Sequence, residues 1–138
     1  MFSNNDVVFA YTRKDAIADG IQIALSEKFS EACRGFKVPV FCTSRVWEMI
    51  ESAVNNPKTV NDFSGVIGDI CWMSGHSPGR KAIANGAGVE FTVIVNGASI
   101  TPDDVEAGMP LYRLQAICGP MDIDDPNPAI TLMFSNED

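Results

Sequence analysis

A nucleophilic or general-base centre at neutral pH needs an imidazole or an activated thiol, and the chain offers one histidine, His76, and four cysteines, Cys33, Cys42, Cys71 and Cys118. His76 lies in Ser74-Gly75-His76-Ser77, with no Gly-x-Ser-x-Gly, phosphate loop or dinucleotide fingerprint beside it. That setting predicts a helix end with the imidazole near the C-terminal dipole, and it assigns no catalytic residue. The cysteines are widely spaced with no Cys-x-x-Cys pair and sit among apolar neighbours, so reduced, buried thiols are expected. Cys71 precedes His76 by five residues, poor spacing for two ligands on one helical face, and neither a metal nor a cofactor is expected. Tyr11, Arg13 and Asp19 form a second cluster: a phenol, a bidentate donor and a carboxylate on one short helix could hold an anion. A capped helix with Arg13 in a surface pair is the simpler account of the same residues. Asp122-Ile123-Asp124-Asp125 spaces carboxylates as a calcium loop does, but it lacks the following glycine and the distal glutamate. It reads instead as a solvated connection whose charges guard two apolar strands.

The charge is segregated along the chain. Residues 1–81 hold nine Lys or Arg and nine Asp or Glu, whereas residues 82–138 hold Arg113 against nine carboxylates and carry the whole net charge of −8. A dense acidic surface repels nucleic acid and membranes and attracts basic protein surfaces. With 138 residues, 46% of them hydrophobic, the chain is expected to form a single globular domain over residues 1–138. Its apolar runs are only a few residues long, and Met1 to Asn5 lacks the basic start of a signal peptide, so a cytoplasmic location is expected.

These side chains have to be positioned by the elements around them. Three runs alternate with period two: Val89, Phe91, Val93 and Val95; Tyr112, Leu114, Ala116 and Cys118; Ile130, Leu132 and Phe134. The expected fold is α+β, with an antiparallel three-strand meander over residues 88–134 packed against helices from the N-terminal two thirds. In that meander Asp103, Asp104, Glu106, Glu137 and Asp138 gather at one end. Glu90, Asp122, Asp124 and Asp125 gather at the other, roughly 20 Å away. Upstream, residues 7–11 suggest an edge strand. Thr12 and Asp15 form a capping box for a short helix that Asp19-Gly20 stops. A strand pattern at Ile21, Ile23 and Leu25 precedes a helix capped by Ser26 and running to Arg34. Pro39 marks an edge or a strand start. Thr43 or Ser44 opens a helix with Val46, Trp47, Ile50, Ala53 and Val54 on its apolar stripe, and a second stripe runs from about Val60 to Ser74. Gly65 and Gly68 would let these two helices pack closely, with Trp47 and Trp72 in the core.

Tyr11-Thr12-Arg13 with Ala16, Asp19 and Gly20, the segment Phe36-Lys37-Val38-Pro39-Val40 followed by Thr43 and Val46-Trp47, and Trp72-Met73 recur together with two later stretches. These are Cys118-Gly119-Pro120 and Ile130-Thr131-Leu132-Met133 with Asn136-Glu137-Asp138. In this combination, which covers nearly the whole chain, the sequence resembles an uncharacterised bacterial domain family found on plasmids, phages and integrative elements. The resemblance implies a mobile-element setting and no activity. The chain departs from that pattern between Ser74 and Gly88, so nothing is implied for Arg80 and Lys81. Charge and resemblance together lead to the expectation of a non-enzymatic acidic binding protein, of the type that inhibits a host defence nuclease by occupying its basic surface. Asp103, Asp104, Glu106, Asp122, Asp124, Asp125, Glu137 and Asp138 would contact that partner, and no direct contact with nucleic acid or membrane is expected. A small ligand-binding domain or enzyme at Tyr11, Arg13 and Asp19 is the second expectation, and homo-oligomerisation through an open strand edge is the third.

Overall fold

A computed structural model describes residues 11–83, 86–106 and 108–137. The strand expected over residues 7–11 therefore falls outside the described residues except at Tyr11, which is not in a strand. Thr12 caps helix α1 (Arg13–Ala18) through the Asp15 backbone N–H, and the Asp15 carboxylate accepts from Thr12 N–H in return, completing the capping box. Gly20, at φ 77°, reverses the chain into strand β1 (Gln22–Ala24).

The helix expected to run from Ser26 to Arg34 is a single turn, α2 (Leu25–Lys28). Ser26 lies inside it and does not cap it. Its Oγ accepts from Val40 N–H at 2.9 Å, tying α2 to strand β2 (Val40–Thr43). Pro39 stands immediately before β2, where its missing N–H costs nothing, and its carbonyl accepts from Ile130 N–H. Thr43 caps helix α3 (Ser44–Val54) through Val46 N–H. Val46, Met49, Ile50 and Ala53 recur at helical spacing on its buried face, worth about 1.5–3 kcal/mol for each larger side chain. Asp62 caps helix α4 (Phe63–His76), which buries Val66, Ile67 and Ile70.

Short strand β3 (Lys81–Ala82) leads to β4 (Gly88–Ile94), β5 (Asp104–Glu106), β6 (Met109–Asp122) and β7 (Asp125–Phe134). The three expected strands are present and adjacent, β4 beside β6 beside β7, each pair antiparallel. They do not form an isolated meander, however. They are the middle of one seven-stranded mixed sheet of order β1-β2-β7-β6-β4-β3, with β5 also paired to β6. The open edge of β7 at Ile130–Leu132 takes Val40–Cys42 of β2 as a parallel neighbour, so the N-terminal part supplies strands as well as helices. Helices α3 and α4 cover one face over Val40, Cys42, Phe91, Val93, Tyr112, Leu114, Leu132 and Phe134. Strand alternation puts Phe41 on the other face, packed with Ala24, Ala129 and Met121.

The β6–β7 hairpin extends beyond the expected runs that end at Cys118 and begin at Ile130. β6 and β7 continue to a two-residue turn at Ile123-Asp124, and Pro120 stands opposite Pro128. Cys118 and Ile130 donate outward, to Ala87 O and Pro39 O, so the missing N–H of Pro120 and of Pro128, two residues away, also falls outside the β6–β7 ladder and breaks none of its bonds. Two packing expectations also change. A Cβ at Gly65 would meet the Asp62 cap and one at Gly68 would approach Ala32 O at 3.9 Å, so these glycines face the cap and residues 31–36 and do not form a seam with α3. Trp47 stacks on Phe63 at 5.2 Å against the core, but Trp72 is 61% exposed.

Candidate functional site

Arg13, expected in an anion pocket, is turned into the sheet. Its Nε donates to Met121 O at 2.6 Å, Nη1 to Gln22 Oε1 at 2.8 Å and to Thr131 Oγ1 at 2.9 Å, and Nη2 to Pro120 O at 3.4 Å. The guanidinium also lies 4.2 Å from the centroid of the Phe41 ring. Four of its five N–H donors are thus engaged within the protein. Burial lowers its pKa while Asp122 opposes that shift. Tyr11 and Asp19 bond to each other, the phenol donating at 2.7 Å, and that carboxylate raises the tyrosine pKa. The three side chains therefore do not converge on one anion, although Tyr11 and Arg13 share an open cleft of about 280 Å³.

The carboxylates divide by use. Asp122 accepts from the N–H groups of Arg13 (3.0 Å), Lys14 (3.1 Å) and Ile123 (2.9 Å), so the hairpin clasps the start of α1. Those bonds, Ile123 first, hold its carboxyl below the usual range. Asp125 accepts from Asn127, and Glu137 accepts from Thr43 Oγ1 at 2.9 Å and Phe134 N–H at 2.8 Å. Glu90 does not lie at the hairpin end. It pairs with Gln115 in the middle of β6, about 23 Å from Asp122 along the strand, and its carboxylate meets Lys81 at 3.4 Å. Asp138 lies outside the described residues. The second acidic group is therefore dispersed, and Asp124 at the turn is exposed.

Of the first group, Asp103, Asp104 and Glu106 lie together on and beside β5, whereas Glu137 is bonded to Thr43 and Phe134. β5 is exposed at all three positions and pairs with the start of β6 through the Gly108 turn, φ 80°. Asp103 accepts from Arg113 N–H at 2.5 Å and donates its own N–H to Leu111 O, which seats the lip on the sheet. Asp104, Glu106 and Met109 (45% exposed) then share one face of this corner, and Val105 (60%) lies on the other face. An exposed methionine flanked by carboxylates is a surface for a partner that offers both apolar and basic groups.

A groove of about 680 Å³ escaped the sequence reading. It runs between α4 and residues 31–36, over Ser64, Gly68, Cys71 and Gly75. The readable signal was the i, i+4, i+7, i+11 spacing of these small residues on one helical face. At its mouth the His76 ring stacks on Trp72 at 3.7 Å and 5°, and His76 Nδ1–H donates to Trp72 O at 2.9 Å, leaving Nε2 as an acceptor. His76 is the last residue of α4, as expected. Cys33 and Cys42 are buried, Cys71 is half-buried and Cys118, against expectation, is exposed, because β6 carries it past the helices. All four are free thiols.

Among the described residues no helix is long and apolar enough to cross a membrane. No curated protein and no solved structure matches the chain. A family model described as "Family of unknown function (DUF6573)" matches residues 1–138, and the chain, with its mixed seven-stranded sheet, acidic lip and α4 groove, belongs to that family.

Proposed function

We propose that the protein is a non-enzymatic binding protein that docks a basic protein surface through the β5–β6 lip. The observation that carries the reading is the coincidence of exposed Met109 with exposed Asp104 and Glu106 on one face of the β5–β6 ribbon. Carboxylates steer a basic partner in, and apolar area at the same place slows its departure. In the mobile-element setting that the resemblance implies, the partner class is a nucleic-acid-binding protein such as a host defence nuclease complex. Occupying its basic surface would block nucleic acid, the action of an anti-CRISPR or anti-restriction inhibitor. A small-ligand function at Tyr11, Arg13 and Asp19 has less support, because the guanidinium is engaged by the sheet.

The test is affinity capture from a bacterial lysate with the wild-type chain and with Asp104→Lys/Glu106→Lys. The expected result is a basic nucleic-acid-binding protein retained by the wild type at low salt, released at high salt and not retained by the double variant. Equal retention by both chains would overturn the proposal.

A further inference from the structure

Asp69, Trp72 and His76 stand at i, i+3 and i+7 of α4, on one side of the helix and off the buried row of Val66, Ile67 and Ile70. Trp72 is exposed, and the His76 ring stacked on it at 3.7 Å and 5° fixes its orientation. Among the described residues no other ring and no cation lies over Trp72. Asp69, at a spacing that places its Cβ about 5–6 Å from that of Trp72, is half-buried, and among the described residues no hydrogen bond or ion pair reaches its carboxylate. Burial alone pushes its pKa up: the charge has lost part of its water and gained no partner within the chain. Two arginines of the chain border this region and both are directed elsewhere. Arg34, which lines the same groove as Trp72, is ion-paired with Glu31 at 3.2 Å, and Arg80 Nε donates to Ser74 O at 3.2 Å. α4 ends at His76, and the carbonyl end of a helix favours positive charge.

We infer that this face of α4 is a binding site for an arginine side chain of a partner polypeptide, with the guanidinium stacked on the open face of Trp72 and forked onto the Asp69 carboxylate. A carboxylate without a partner beside a bare indole is complementary to a cation, and the flatness of the site selects which one. A planar guanidinium stacks on an aromatic ring and still presents two parallel N–H donors to a carboxylate, whereas an ammonium is a strongly hydrated point charge that does one or the other. An anionic ligand is excluded by Asp69 itself and by the net charge of −8. The site rests on α4 alone and on no property of the β5–β6 lip, so each can fail without the other.

The test adds a blocked peptide, acetyl-Gly-Arg-Arg-Gly-amide, to the isotope-labelled full chain and follows the Trp72 indole N–H and the Asp69 and His76 amides by NMR. The expected result is a saturable shift of all three signals. The same peptide with citrulline in place of arginine, matched in shape but uncharged, should bind at least about tenfold more weakly, and the lysine peptide several-fold more weakly. Asp69→Asn should weaken the arginine peptide about tenfold, because the charge-assisted fork is lost. Asp104→Lys/Glu106→Lys should leave the Trp72 shift as it is in the wild type, which separates this site from the lip. Shifts confined to the β5–β6 signals, equal affinity for the arginine and the citrulline or lysine peptides, or wild-type binding by Asp69→Asn would each overturn the inference. The peptide comparison uses the wild-type chain, so a misfolded Asp69→Asn does not shelter the claim.

Discussion

Arg13 shows how one residue type can be read correctly for its chemistry and not for its partner. Its fork was visible as an anion binder, but the acceptors it found are Met121 O, Pro120 O, Gln22 and Thr131, up to 118 residues away. Charge-assisted bonds to a part-buried fork are the strong kind, so Arg13→Ala should lower stability by about 2–4 kcal/mol in urea denaturation. Arg13→Lys should recover less than half of that, because an ammonium cannot reach acceptors arranged for a planar fork. Asp122 carries a pH signature. Its folded pKa is depressed, so its stabilisation is present above the ordinary carboxylate value of about 3.9 and is lost as pH falls through the folded value. Asp122→Asn should therefore be less stable than wild type at pH 7, with the gap closing below about pH 4. A gap that persists into acid would show that the carboxylate charge is not the cause.

Among the elements, those written in local chemistry were legible. The Thr12–Asp15 box, the Thr43 cap and the apolar spacing of α3 specify helices without reference to distant residues. Thr43→Ala should cost about 1–2 kcal/mol, since Thr43 both caps α3 and donates to Glu137. The extent of strands was harder to read, because a ladder depends on its neighbour. Pro120 and Pro128 break a strand in isolation, and only the ladder shows that their missing N–H groups lie on its outer sides. Gly88 sits where β4 presses on β6, and any Cβ would strike the Ala116 carbonyl. Gly88→Ala should lower Tm by more than 10 °C, a loss typical of forced backbone movement, while Gly79→Ala, with open space around it, should be near neutral in the same thermal melt.

For the whole molecule, the segregated charge makes a prediction about rate. Reversing Asp104 and Glu106 should cut the association rate of the captured partner at least tenfold at low salt, and the difference should shrink toward 0.5 M salt. Reversing Asp125, whose carboxylate serves Asn127, should change association far less. The sequence by itself determined the Thr12 and Thr43 helix caps, the three apolar strand faces and the total charge, because these follow from spacing and side-chain type within a few residues. Tertiary structure alone decided that β2 would lie parallel against β7, that Asp122 and Glu137 would be taken up as internal acceptors, and that Trp72 would stand exposed over a groove. The physical reason is that an unpaired strand edge or an unmatched N–H accepts whatever complementary group the completed fold brings within reach. Which group arrives is set by contacts between residues far apart in the chain, and these leave no periodic mark on the sequence.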